Sequence, residues 1–235
     1  MKRLFLVGFC VAMLSTSLQA QEEKSVPLDS MPFDLQKQAF IYTTALRYND
    51  PVIARMALYN LLAYNPTNTA VLDSLALSYI DARQYPSAVL ASADALRINP
   101  EDQLATEIAA VSFESLGLKD RAISYYETMY LSNNDINILY KIAFIQFDLK
   151  RFNESLASAD IIIGDASAVK EQIIFQKNER ENQEVSMVAA AYRLKAMIYE
   201  AQGNVDQARE QYNKALELAP DFAVAKIQLD ELNKG

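Results

Sequence analysis

The sequence predicts an all-α protein: a solenoid of about five helical hairpins closed by a C-terminal capping helix. Three observations predict it. Of the 235 residues 51 % are hydrophobic and 22 % charged, with only 5 Gly and 7 Pro, a balance that suits helical globular structure and disfavours a loop-rich or all-β chain. A small residue recurs at Ala54, Ala88, Ala122, Ser155 and Ala208, at steps of 34, 34, 33 and 53 residues, the last being one step plus an insertion of 19. Between these marks, apolar residues recur at spacings of three and four, interrupted by turn-forming residues at a constant offset.

The chain opens with Lys2 and Arg3, an apolar run from Leu4 to Leu14, and a small-polar stretch ending in Leu18-Gln19-Ala20. This layout predicts a secretory signal peptide over residues 1–20, with a core too short for a stable membrane anchor. Residues 21–34 read as a linker. Export follows from that leader, to the periplasm as the expected destination and the extracellular space as the alternative. No later run reaches 18 apolar residues, so no membrane insertion of the mature chain is expected. The one Cys, Cys10, lies within the leader behind Phe9, where lipid attachment calls for a small residue.

The chain contains no His. With the leader removed it has no thiol either, which excludes disulfides, thiolate nucleophiles, His bases and the usual zinc, copper and haem sites. No Gly-rich phosphate loop, dinucleotide fingerprint or nucleophile–base pair is present. The reading is therefore of no enzyme, no catalytic residue, no metal and no cofactor. Loss of Lys2 and Arg3 leaves 20 basic against 30 acidic residues, a net charge of −10 that repels phosphate backbones and argues against nucleic acid as a partner.

Within each repeat a second column lies twelve residues before the first, at Tyr42, Ala76, Ala110, Ala143 and Ala196, and a third follows three residues later at Ala45, Tyr79, Phe113, Gln146 and Tyr199. Asn49, Arg83, Gly117, Lys150 and Gly203 hold the place of the turn between the two helices, where Gly and Asn tolerate left-handed backbone. Pro51 and Pro86 fall in the first turn of a second helix, and Pro66, Pro100 and Pro220 close their repeats. The run Ala196, Tyr199, Gly203, Ala208, Tyr212, Ala215, Pro220 resembles the tetratricopeptide repeat signature, and the segments around Ala76 and Ala110 match nearly as well. The resemblance covers about residues 35–222 and implies a right-handed α–α superhelix. Its repeats span about 35–68, 69–102, 103–135, 136–163 and 189–222, with an insertion at 164–187 and a capping helix at 223–234, together an array over 35–235.

The resemblance also implies a concave wall built from the first helix of each repeat, with a partner protein or peptide held against it. The register puts Asp73 and Leu77, then Glu107, Val111 and Glu114, then Tyr140, Phe144 and Phe147, then Arg193 and Met197 on that wall. Family members that clamp a peptide's C-terminal carboxylate use Lys, Arg and Asn there, whereas these positions are acidic, apolar or aromatic. A hydrophobic segment, neutral or basic, suits such a wall. Two readings of the Tyr140, Phe144 and Phe147 stripe stand side by side, a binding anchor or a core face between hairpins. The insertion likewise has two: a small β-hairpin with strands at Ile173–Gln176 and Gln183–Met187, or an extension of the neighbouring helices. The leading function is a protein-interaction scaffold. The alternatives are a saccharide-binding accessory of an outer-membrane uptake system and a self-assembling envelope protein, and the oligomeric state is open.

Overall fold

The computed structural model describes residues 32–177 and 181–234. The leader expected over 1–20, and all but the last three residues of the linker, lie outside the described residues. Eleven helices are described: α1 Phe33–Arg47, α2 Pro51–Tyr64, α3 Thr69–Asp81, α4 Tyr85–Ile98, α5 Gln103–Ser115, α6 Lys119–Asn133, α7 Ile136–Asp148, α8 Phe152–Gly164, α9 Met187–Ala201, α10 Val205–Leu218 and α11 Ala223–Leu232. A two-stranded antiparallel sheet, β1 Gln172–Gln176 with β2 Asn182–Ser186, stands between α8 and α9. The chain divides into two compact halves, one through Asp102 and one from Gln103.

Consecutive helices pair as five hairpins, and all five are closed by one device. Asn49, Arg83, Gly117, Lys150 and Gly203 each adopt positive φ, between 55° and 77°. The residue after each donates its N–H to the carbonyl five residues back: Asp50 to Ala45, Gln84 to Tyr79, Leu118 to Phe113, Arg151 to Gln146 and Asn204 to Tyr199, at 2.8–2.9 Å. This is the Schellman closure, which satisfies carbonyls that the helix end leaves bare. The second helices start from their own signals. The Asp50 carboxylate accepts from the Ile53 N–H at 3.1 Å, and Pro stands in the first turn of α2 and of α4.

The columns of small residues are the contact lines of the hairpins. Ala54, Ala88, Ala122, Ser155 and Ala208 are buried, as are Ala76, Ala110, Ala143 and Ala196. Without long side chains at the crossing the paired helices approach closely, and the Ser155 hydroxyl donates to the Ala143 carbonyl across it at 2.7 Å.

In the second half, Leu139, Ala143, Ala159, Ile162, Met187, Leu194 and Ile198 form one apolar cluster. It joins α8 to α9 across the insertion, and Lys195 donates to Asp160 at 2.5 Å over the same joint. The insertion is a β-hairpin, with strand ends shifted by a residue from the expected ones. Met187 opens α9 and does not end a strand, because the Ser186 hydroxyl accepts from the Ala189 N–H and starts the helix there. The sheet turns Ile173, Phe175, Gln183 and Val185 inward and leaves Ile174 and Glu184 exposed. Among the described residues no helix is long and apolar enough to cross a membrane, and no group of three or more potential metal ligands occurs.

Candidate interaction surface

The residues assigned to the wall lie on the first helices of four hairpins: α3 in the first half, and α5, α7 and α9 in the second.

On α3, Leu77 is half-buried and Asp73 is only 7 % exposed. The Asp73 Oδ1 is buried without a hydrogen-bond partner. Burial pushes the Asp73 carboxyl up to about 7, helped by the charge of Asp102 and a hydrogen bond with it. Near neutrality this position is therefore only partly ionised, where the sequence suggests a full negative charge.

On α5, Glu107 is exposed and Val111 half-buried. Glu114 is tied down. It accepts from the Tyr126 hydroxyl at 2.6 Å and from the Lys141 ammonium at 3.0 and 3.3 Å. Partial burial raises its carboxyl, but the Tyr126 and Lys141 hydrogen bonds and the charges of Lys141 and Lys119 prevail and hold it below the usual range. Tyr126 answers in the opposite sense, since burial and the adjacent Glu114 carboxylate both push its phenol up. The fifth hairpin repeats the device, with the Tyr212 hydroxyl donating to Glu200 at 2.8 Å. Both pairs are twelve residues apart and lock the two helices of one hairpin together. Glu114 thus serves the hairpin, and Glu107 is the carboxylate of α5 that faces water.

On α7, Tyr140, Phe144 and Phe147 are all half-buried. Their inner edges pack on the cluster of Leu139, Leu194 and Ile198, and the Tyr140 and Phe144 rings meet at 5.0 Å and 57°. The stripe is thus both core and surface. Burial pushes the Tyr140 phenol up, with the positive charge of Arg193 opposing.

On α9, Arg193 is seated by two other elements. Its Nε donates to the Gln228 carboxamide on α11 at 2.7 Å, and its guanidinium lies 5.4 Å from the centre of the Phe175 ring on β1. Met197 packs with Val185, Tyr212 and Phe222. The inserted hairpin is therefore part of the wall's support. The Phe175 and Phe222 rings meet at 4.7 Å, tilted by 51°. Gln183 clips β2 to the start of α11, donating to the Asp221 carbonyl at 2.7 Å and accepting from the Ala223 N–H at 3.1 Å.

Sequence reasoning misses Lys141, Phe175 and Gln183. None has a periodic signature, and each acts on a residue 18 to 40 positions away.

Comparison with known proteins agrees with this architecture. Family models of the tetratricopeptide repeat match residues 74–135 and 189–222. No curated protein sequence matches the chain significantly. Among solved structures, the chain is similar to YrrB, described as a TPR protein with an unusual peptide-binding site, at 15 % identity over 83 % of this chain and 94 % of that one, with a TM-score of 0.63. It is similar to a tetratricopeptide repeat protein from Parabacteroides merdae at 17 % identity over 84 % and 72 %, TM-score 0.60. It is similar as well to MamA from Desulfovibrio magneticus RS-1 at 12 % identity over 82 % and 99 %, TM-score 0.58. At such identities these structures speak for the fold alone. The matched segments, the shared column chemistry and the five identically closed hairpins together show hairpins of the tetratricopeptide type, with repeats of that family matched over 74–135 and 189–222.

Proposed function

We propose that the protein is a non-catalytic scaffold that holds an apolar, neutral or basic segment of another protein against the first helices of its second half. The observation that carries this reading is the half-buried stripe of Tyr140, Phe144 and Phe147. Core contacts hold the rings on their inner edges, so little side-chain entropy remains to be lost when a partner covers the outer ones. Val111 extends the apolar surface, while Glu107 and Arg193 supply one charge of each sign at its flanks. With Glu114 engaged by Lys141, the wall is less acidic than its carboxylate count suggests, so apolar contact dominates and the preference for a basic partner is a modulation. The likeness of fold to YrrB, whose peptide-binding site is named for that protein, supports a peptide-like ligand. The leader supports export to the periplasm, which cell fractionation of the tagged protein tests.

The test compares partners captured from an envelope extract by the wild-type chain and by Phe144→Asp, both checked for folding by circular dichroism. The reading expects a discrete set of proteins lost from the variant, each traceable to an apolar segment that binds as a synthetic peptide. Identical partner sets would sink it.

A further inference from the structure

Arg193 stands apart from the other half-buried cations of the second half. Lys119, Lys195, Arg209 and Lys214 each hold a carboxylate, those of Asp148, Asp160, Asp206 and Glu210. Arg193 holds none among the described residues, although a charge drawn out of water is ordinarily paired. The groups that act on its charge are the Tyr140 and Tyr212 phenols, and burial holds the guanidinium below its usual value. Its Nε is spent on the Gln228 oxygen, which leaves both Nη groups without an acceptor. Because that oxygen faces the guanidinium, the Gln228 amide N–H donors are left over as well. The Tyr140 hydroxyl also has no hydrogen-bond partner among the described residues, whereas Tyr212 donates to Glu200. Among the described residues, buried polar atoms without a partner occur on Asp73, Ser112 and Gln211, so the donors around Arg193 are open to water.

We infer that Arg193, with the Tyr140 hydroxyl and the Gln228 amide, receives the side-chain carboxylate of an Asp or Glu in the segment held against the wall. The inference rests on the scaffold reading above. Three features select that ligand. The two Nη groups present parallel N–H bonds, the fork that a planar carboxylate accepts end-on. The site offers one positive charge in a chain of 30 acidic against 22 basic residues, which suits a monoanion and disfavours the dianion of a phosphorylated segment. Its surroundings are aromatic, with the Phe175 ring against the guanidinium and the Tyr140 ring meeting Phe144. A carboxylate seated here therefore brings its apolar neighbours onto the stripe, and a cation elsewhere in the segment, facing Glu107, keeps it neutral overall. Folding has already stripped part of the water from the guanidinium, so binding does not bear that cost again.

Fluorescence anisotropy with the purified full chain tests this. The probes are acetylated, amidated peptides of about ten residues in which one Glu is walked through an apolar background bearing one Lys, a span a wall of this kind accommodates. Each is paired with its Gln and phosphoserine counterparts. The best Glu peptide is expected to bind about tenfold tighter than its Gln counterpart. Arg193→Gln should abolish that preference, and Tyr140→Phe should reduce it about two- to threefold. Gln228→Glu supplies the missing carboxylate from within the chain and should abolish the preference with Arg193 still in place, which keeps the test open should Arg193→Gln fail to fold by circular dichroism. Glu and Gln peptides that bind equally, yet are lost together in Phe144→Asp, would overturn the carboxylate site and leave the scaffold reading standing. A preference that survives both Arg193→Gln and Gln228→Glu, or a phosphoserine peptide that binds tighter than the Glu peptide, would likewise overturn the site. No binding up to about 1 mM by any peptide would overturn both.

Discussion

The first and last hairpins of this array solve the same problem in opposite ways. Phe40 in the first repeat and Leu194 in the fifth occupy the same place in the repeat, yet Phe40 is 70 % exposed and Leu194 fully enclosed. The fifth hairpin is covered by α11 and braced by the inserted sheet, with Tyr212, Phe222 and Ala225 sealed beneath them. The first hairpin keeps its Phe40 ring at the surface, and its half of the molecule also carries the unpartnered carboxyl oxygen of Asp73. A repeat cannot enclose its own hydrophobic face, so the two ends differ in what is set against them, not in how the hairpin is made.

The sharpest way to break that contrast is to remove one ring from each end. Phe222→Ala is expected to cost about 3–5 kcal/mol in the second half, measured by urea unfolding together with amide exchange in α10 and α11. Phe40→Ala should change stability by no more than about 0.5 kcal/mol. Equal effects would show that the first end is also a closed core.

Asp73 gives the next largest effect. Between the ordinary carboxyl value of 3.8 and about 7, the folded chain holds a proton that the unfolded chain has released. Stability of the first half is therefore greatest at the acid edge of that window, falls as pH rises through it, and levels off above it. Asp73→Asn removes the dependence and should stabilise by about 2–4 kcal/mol at about pH 8 and by little at about pH 4. A pH-independent difference in thermal unfolding would refute this.

Gln183→Ala deletes both hydrogen bonds that clip the sheet to α11. A loss of about 1–2 kcal/mol is expected, with faster amide exchange confined to α11 and the sheet. The smallest effects belong to the turns. Gly203→Ala, where the added methyl group meets nothing within 4 Å but φ is +77°, should destabilise by about 1 kcal/mol through backbone strain alone. Arg83→Gly should gain up to about the same amount by relieving that strain.

Those turns show why so much of the fold is legible in the sequence. Arg83 and Lys150 have no left-handed preference of their own, yet both adopt positive φ because the register places them where Asn49, Gly117 and Gly203 stand. The closure is a local arrangement of five or six residues, so period and offset suffice to find it. The inserted sheet is legible for a similar reason, since Ile173-Ile174-Phe175 is β-prone within a helical chain. The candidate surface is less legible because its charges are set by distant partners. Glu114 reads as a solvated acid until Tyr126 and Lys141 are seen upon it, and Asp73 reads as a wall charge until Asp102, 29 residues on, is found beside it. Periodicity places a side chain on a face, but whether that face is wet is decided by neighbours that periodicity cannot name.

The joint between α8 and α9 has a practical consequence. These helices pack as directly as neighbours in an uninterrupted array, through Ile162, Met187 and Leu194, although the chain leaves Gly164 and returns only at Met187. The detour closes a loop whose entropic cost grows with the logarithm of its length, about 0.6 kcal/mol for each doubling. A foreign peptide or small domain spliced between β1 and β2, away from the Gln183 clip, would meet little thermodynamic resistance. That makes the joint a port at which the scaffold can carry cargo without any helix changing its neighbour.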